Sequence, residues 1–358
     1  MKLYIFLGAL LFAGTSLSAQ NIVQTSAVKA NDYGVTYSLP KTAIDITVSY
    51  TKTTRKAGDF YQYAERYLNI TNPTTENEVV YTLDKIETST RGIPDKDNSY
   101  LVEFRPNNPA AFVSLSEEGL ICAINDDYTA TTQEVRKAKT EIITEELPNP
   151  NTFLSEEILR AGSTAKQAEL IAKQIYRLRE SRTNILTGEA DNMPPDGNAY
   201  KLVMEQLDQQ EKALTAMFIG TEIVETGTKT FSIVPDKKNI DKEIIFRFSS
   251  KLGVVEANDL SGAPVYVSLQ NKDPRPEVYL SAKEQQAMEK KFSKGLIYNI
   301  PNKAALKVVF NGKDYVDTEC EVAQYGTQDV LSPNQLGDNK RTVKIIFYPE
   351  LGSIKQIQ

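Results

Sequence analysis

Histidine and tryptophan are absent from all 358 residues, and only two cysteines and five methionines occur. Histidine is the side chain that most readily exchanges protons near neutral pH, so its absence excludes Ser-His-Asp and Cys-His catalysis. Histidine-ligated zinc and two-histidine iron sites go with it. Lack of tryptophan removes the usual stacking platform for sugars, a role that the 18 tyrosines would have to fill. Two cysteines cannot build a disulfide framework, and no C-x-x-C is present. The chain also lacks G-x-G-x-x-G and G-x-x-x-x-G-K-[ST], so no dinucleotide or nucleotide-phosphate cofactor is expected, and the cofactor reading is none.

Beyond the N-terminus no apolar run approaches the ~20 residues needed to span a bilayer. The exception in kind is MKLYIFLGALLFAGTSLSAQ, with Lys2 ahead of an uninterrupted apolar stretch from Leu3 to Ala13 and small residues up to Ala19. That pattern is a secretory signal peptide cleaved after Ala19, or after Ser18 as the alternative. No cysteine lies at the junction to carry a lipoprotein anchor. The expected location is therefore periplasmic, cell-surface or secreted, with no transmembrane segment after cleavage. Loss of Lys2 takes the net charge from −6 to −7, which disfavours nucleic acid as a partner. In an oxidising compartment Cys122 and Cys320 are a candidate disulfide, with two separate thiols equally open.

The periodicity divides the mature chain in three. Residues 20–150 read as a β-rich module with one helix. Ala43 to Tyr50 alternates, with Ile44, Ile46 and Val48 on one face, and GDFYQYAERYLNI carries Phe60, Ala64, Tyr67 and Leu68 at helical spacing. Residues 151–220 read as a long helical hairpin. Ser155 is a candidate N-cap, and the first stripe runs through Ala168, Ile171, Ala172, Ile175, Leu178 and Ile185 to Gly188. A second stripe comprises Tyr200, Val203, Leu207, Leu214, Met217 and Phe218. Residues 221–358 return to strands, and KVVF-NG-KDYV predicts a hairpin with a type I′ turn. The expected class is thus α+β: two mostly antiparallel β-modules with an inserted helical hairpin. YSLPKTA (37–43) and YNIPNKA (298–304) echo each other at four positions of seven, which fits related modules, a shared turn solution or chance.

Few patterns carry chemistry. Ser163 and Lys166 fit S-x-x-K, the Ser-Lys motif of penicillin-binding enzymes, but K-T-G and S-D-N are missing and Ser163 suits a helix cap. Adjacent acids such as Glu117-Glu118 point to opposite faces if they lie on a strand, so no glycosidase pair is selected. Asp95-Lys96-Asp97-Asn98-Ser99 opens like a calcium loop, but Tyr100 replaces the sixth-position glycine and Pro106 the final glutamate. Asp191 and Asp196 are looser metal candidates. Tyr61 and Tyr63 are candidates for lining a ligand groove, and Arg177, Arg179 and Arg182 for docking an acidic partner.

The opening YSLPKT, the stretch FYQYAERYL, the long segment RAGSTAKQAELIAKQIYRLRESRTNILTGEADNMPPDG, and IIFRFS, GLIYNIP and EVAQYGTQ resemble the secreted bacterial family of domain of unknown function 4831. The resemblance covers nearly the whole mature chain. It implies export into the envelope or beyond, and it supplies no catalytic residues. The expected role is a non-catalytic, envelope-associated binding or structural protein whose partner is another envelope protein or a glycan. The alternatives are a histidine-free hydrolase of glycans or cell-wall peptides, and a small-ligand (sugar) carrier.

Overall fold

The computed structural model describes residues 22–24, 34–103, 113–127, 139–144, 147–192, 197–275, 281–293, 295–332, 335, 337–338 and 341–358. In chain order the elements begin with β1 (Ile22–Gln24), β2 (Gly34–Lys56), α1 (Ala64–Leu68), β3 (Glu78–Glu103), β4 (Val113–Leu115), β5 (Ile121–Ile124) and β6 (Lys139–Ile142). The helices α2 (Glu156–Leu159), α3 (Thr164–Thr187) and α4 (Gly197–Ile219) follow, then β7 (Thr221–Ile233), β8 (Ile240–Ser249), β9 (Gly253–Glu256) and β10 (Ala263–Asn271). The chain closes with α5 (Ala282–Phe292), β11 (Leu296–Phe310), β12 (Lys313–Leu331), β13 (Gly337–Asp338), β14 (Arg341–Thr342), β15 (Ile345–Tyr348) and β16 (Ser353–Ile357). The expected signal peptide, 1–19, lies outside the described residues.

The alternation read along β2 sets the first core. Ile44, Ile46 and Val48 are fully buried and face Phe246, Val265, Val267, Leu306 and Val308 of a second sheet. The first sheet has the order β1-β3-β2-β7-β6 and the second β12-β11-β10-β8-β9, all antiparallel. Phe231 on β7 stacks on Phe246 of β8 with ring centroids 4.7 Å apart, which joins the two layers. A third sheet, β16-β15-β5-β4, covers the other end of the long strands over a second core of Tyr37, Leu39, Tyr100, Val102, Ile121, Leu296, Ile297 and Phe347.

Each long hairpin is broken between the two cores by the same device. Ser38 pairs with Ser99 and Pro40 with Pro94, which leaves residues 95–98 opposite Leu39. On the other hairpin Ile300 pairs with Thr327 and Asn302 with Val322, which leaves residues 323–326 opposite Pro301. Proline has no N–H to give to a ladder, and each break falls at or beside one: at Leu39, next to Pro40, in the first hairpin and at Pro301 in the second. The echo YSLPKTA and YNIPNKA is therefore two copies of one bulge-forming solution. At the second bulge Gly326 passes so near its partner strand that a Cβ would sit 1.8 Å from the Ile300 carbonyl oxygen. The NG signal holds as read: Asn311 (φ 49°) and Gly312 (φ 76°) make the turn joining β11 to β12.

Three expectations change. The helix expected over GDFYQYAERYLNI shrinks to a 3-10 turn at Tyr61–Tyr63 and the five-residue α1, which Asn69 ends in the left-handed region at φ 56°. Phe60, Ala64 and Leu68 still bury, so periodicity located the face and overstated the length. Strand pairing also crosses the boundaries expected at 150 and 220. All of β7 pairs with β2, from Lys56 opposite Thr221 to Ile44 opposite Ile233, and β15 pairs with β5. A strand as long as β2 would otherwise expose a long unpaired edge. Finally, the α3 and α4 stripes bury only in part. Ala168, Ile171, Ala172 and Ile175 join Leu214, Met217 and Phe218 in a third core with α1 and α2, whereas Val203 is 37% exposed. Arg179 and Arg182 of α3 meet Glu211 and Asp208 of α4 in reversed order, so the two helices run antiparallel.

Candidate functional site

The two bulges face each other across a cleft of about 640 Å³ at the junction of the first two cores. Its lining includes Lys41, Asp95, Asp97 and Asn98 from the first hairpin and Gln324, Thr327 and Gln328 from the second, with Asp236 and Lys237 at the rim. Met288 and Phe292 of α5 and Pro235 give one apolar wall. A cavity of this size lies within the range of small-molecule sites, about 300–1,000 Å³.

The hairpins are tied across the cleft floor by side chains that satisfy backbone groups the bulges leave open. Gln324 Oε1 accepts from the Thr42 N–H at 2.9 Å while its Nε2 donates to the Thr42 carbonyl at 2.9 Å. Thr42 Oγ1 in turn accepts from the Ala323 N–H at 3.0 Å. Asn299 Nδ2 donates to the carbonyls of Pro40 and Leu351, and Asn302 Nδ2 to those of Asp273 and Tyr325. Tyr37 is fully buried and its hydroxyl serves both backbone groups of Ile297, each at 3.1 Å. A network in which each buried group has a partner holds one geometry, so the cleft is formed before any ligand arrives.

The charged centre is Asp95, only 6% exposed. Its carboxylate accepts from Lys41 Nζ at 2.9 Å, Asn98 Nδ2 at 2.6 Å and the Asp97 N–H at 3.2 Å. Burial pushes the Asp95 carboxyl up, but those three donors outweigh it and hold it below the usual carboxylate value. Lys41 is raised, chiefly by its hydrogen bond to Asp95 and further by the charges of Asp97 and Asp236. Asn98 Oδ1 accepts from Tyr100 and from Gln328 Nε2, which carries the network to the second bulge. A carboxylate held ionised is suited to fixing a polar group, and unsuited to giving up a proton as a general acid.

The residues singled out from the sequence lie elsewhere. Ser163 caps α3 by accepting from the Lys166 N–H at 3.3 Å, and the Lys166 ammonium turns to Glu169 at 3.2 Å. The Ser-Lys pair is thus divided between a cap and a surface ion pair. Ser155 stands at the N-cap position of α2 but makes no side-chain capping bond. Tyr63 stacks on Tyr67 against the third core, and Tyr61 is half-buried beside it. Arg179 and Arg182 are taken up by Glu211 at 2.6 and 2.8 Å, and Arg177 is exposed. Asp191 is exposed in the link after α3, Asp196 lies outside the described residues, and no cluster of three metal-ligating side chains occurs among the described residues. Cys122 on β5 and Cys320 on β12 belong to different sheets and remain thiols, so the candidate disulfide is not formed. Burial pushes the Cys320 thiol up to about 11.

Sequence reading missed Lys41, Asp95 and the Gln324–Gln328 stretch as a site. Two signals pointed there: the YxxPxxA echo with proline inside strand-like sequence, and the D-x-D-N run set aside as a failed calcium loop.

No helix among the described residues is long and apolar enough to cross a membrane. The sequence profile of a family described as Domain of unknown function (DUF4831) matches residues 33–355. No curated protein and no solved structure matches the chain.

Proposed function

The chain belongs to the DUF4831 family, and on that premise we propose an exported, non-catalytic binding protein of the bacterial envelope whose inter-bulge cleft holds a small, hydroxyl-rich ligand such as a sugar. The observation that carries this reading is the pre-formed cleft, with an ionised carboxylate and a lysine held within hydrogen-bond reach of each other at its centre. Carboxylate, ammonium and amide groups around one apolar wall suit a ring that has hydroxyls on its edge and C–H on its face. The capping role of Ser163 and the ionised state of Asp95 favour binding over hydrolysis.

The test is a thermal-shift screen of the mature chain against monosaccharides and disaccharides, repeated with Lys41→Met and Asp95→Asn. A ligand at 100 times its dissociation constant adds about 2.7 kcal/mol, a rise of about 4 °C for a chain of this length. No shift with any sugar, or the same shift in both variants, overturns the cleft reading. Export is checked separately by fractionation, where cytoplasmic retention with Met1 intact would refute it. A second reading, an envelope protein docked on the helix pair, draws on the exposed Leu186 and Leu202 on its far half, and crosslinking in intact cells tests it.

A further inference from the structure

The hydrogen bonds around Asn98 place an amine, a base and two carbonyl donors where an acyl transfer would need them. The buried Asp95 carboxylate accepts from Lys41 Nζ on one oxygen at 2.9 Å and from Asn98 Nδ2 on the other at 2.6 Å. A primary amine and a primary amide are thus held on the two oxygens of a single group. The amide carbonyl is held as well. Asn98 Oδ1 accepts from the Tyr100 hydroxyl at 3.2 Å and from Gln328 Nε2 at 3.3 Å. A nucleophile, a base that touches both the nucleophile and the leaving nitrogen, and two donors on the oxygen that gains charge are the parts of a self-contained acyl transfer.

From this we infer that the chain modifies itself: Lys41 Nζ attacks Asn98 Cγ, and an isopeptide bond fastens β2 to β3 at the first bulge. Asp95 takes a proton from the Lys41 ammonium, and the new C–N bond forms while Tyr100 and Gln328 hold the oxyanion. Asp95 then passes that proton to Nδ2 as the Cγ–Nδ2 bond breaks. A second proton from Lys41 leaves with the ammonia, so an ammonium and a primary amide become a secondary amide and an ammonium ion. No oxidant, water or cofactor is consumed. The ionised state of Asp95 is the form a base requires. The acids around Lys41 favour its ammonium, which makes the step slow. A slow step suffices, because the reacting groups are held together and each molecule needs a single turnover. The bond spans the place where the β2–β3 ladder is interrupted, and its N–H can still donate to Asp95.

The intact mass of a chain comprising residues 20–358, measured after denaturation, tests the inference without any ligand, so it stands or falls apart from sugar binding. A methionine is kept ahead of Gln20, because a free N-terminal glutamine loses ammonia by itself. The purified chain is expected to be lighter than its sequence by one ammonia, about 17 Da. Trypsin should fail to cut after Lys41 and should release one linked peptide that contains both Lys41 and Asn98. Lys41→Arg and Asp95→Ala, each with the circular dichroism of the wild type, should show the full sequence mass. Gln328→Ala, which keeps nucleophile and base, should form the link roughly tenfold more slowly or worse, read as the linked fraction at intervals after synthesis. A wild type of full mass that trypsin cuts after Lys41 overturns the proposal. So does an ammonia loss unchanged in Asp95→Ala, or a link from Lys41 to Asp95 with loss of water.

Discussion

Tyr37→Phe deletes one oxygen atom from the interior, and its consequence can be worked from the contacts. The hydroxyl donates to the Ile297 carbonyl and accepts from the Ile297 N–H, both at 3.1 Å, across 260 residues of sequence. At Ile297 strand β12 occupies one edge of β11, and β10, whose pairing with β11 stops at Ala304, does not reach the other, so this hydroxyl stands where a further strand would. Its loss removes two neutral hydrogen bonds worth about 1 kcal/mol each and leaves two buried backbone groups unpaired, for about 2–4 kcal/mol in all. Urea unfolding of a chain comprising residues 20–358, followed by circular dichroism, should show the midpoint falling with the slope unchanged. Tyr298→Phe, at the echo position where the ring is half-buried, is the control and should cost about 1 kcal/mol or less. A loss below about 0.5 kcal/mol at Tyr37, or equal losses at both sites, would refute the reasoning.

The same burial predicts an alkaline signature. Desolvation raises the Tyr37 phenol far above its ordinary value, raises Tyr100 and Tyr298 as well, and takes Tyr325 to about 12. The folded state therefore holds protons that the unfolded chain releases near pH 10. The stabilisation is complete below that pH and is lost as pH rises above it, by up to about 1.4 kcal/mol per pH unit for each tyrosine. Tyr37→Phe should show a shallower alkaline loss than the wild type.

At the acid end Asp95, whose folded pKa is lowered, contributes stability above about pH 4 that is lost as pH falls. Asp95→Asn should cost about 1 kcal/mol at pH 7, reduced because Lys41 remains 39% accessible, and next to nothing at pH 2 in parallel urea titrations. Gly326→Ala forces a methyl onto the Ile300 carbonyl oxygen and should cost about 3 kcal/mol or more in urea unfolding. Glu211→Gln, which removes the shared negative charge and one of the two carboxylate oxygens that accept from Arg179 and Arg182, should lower stability by about 1–3 kcal/mol, and Arg179→Met in the Gln background should add little, a double-mutant cycle being the check. Ser163→Ala should cost about 0.5–1 kcal/mol in urea unfolding, the loss expected of an N-cap hydroxyl.

Local chemistry was legible from residues alone. Asn311-Gly312 has the two positive φ angles its turn demands, Gly188 ends α3 in the left-handed region, and Ile44, Ile46 and Val48 share a buried face as their alternation implied. Helical spacing around Phe60 chose the right side chains for burial, but Asn69 stopped the helix after five residues. The cleft was legible only as unconnected hints, because Lys41 and Asp95 become a site only when their neighbours Thr42 and Asn98 bond to Gln324 and Gln328, more than 200 positions away.

The sequence by itself determined the class of chemistry left open, the turns, the caps and which face of each strand is apolar. Each of these depends on neighbours within a few residues. Only the tertiary structure decided that β7 completes the sheet of β2, that β15 joins β5, and that two proline bulges meet to form a cleft. A period of two states which face of a strand is buried and is silent on which strand lies beside it. That choice is made by the summed burial and hydrogen bonding of whole sheets, and no short window of sequence contains it.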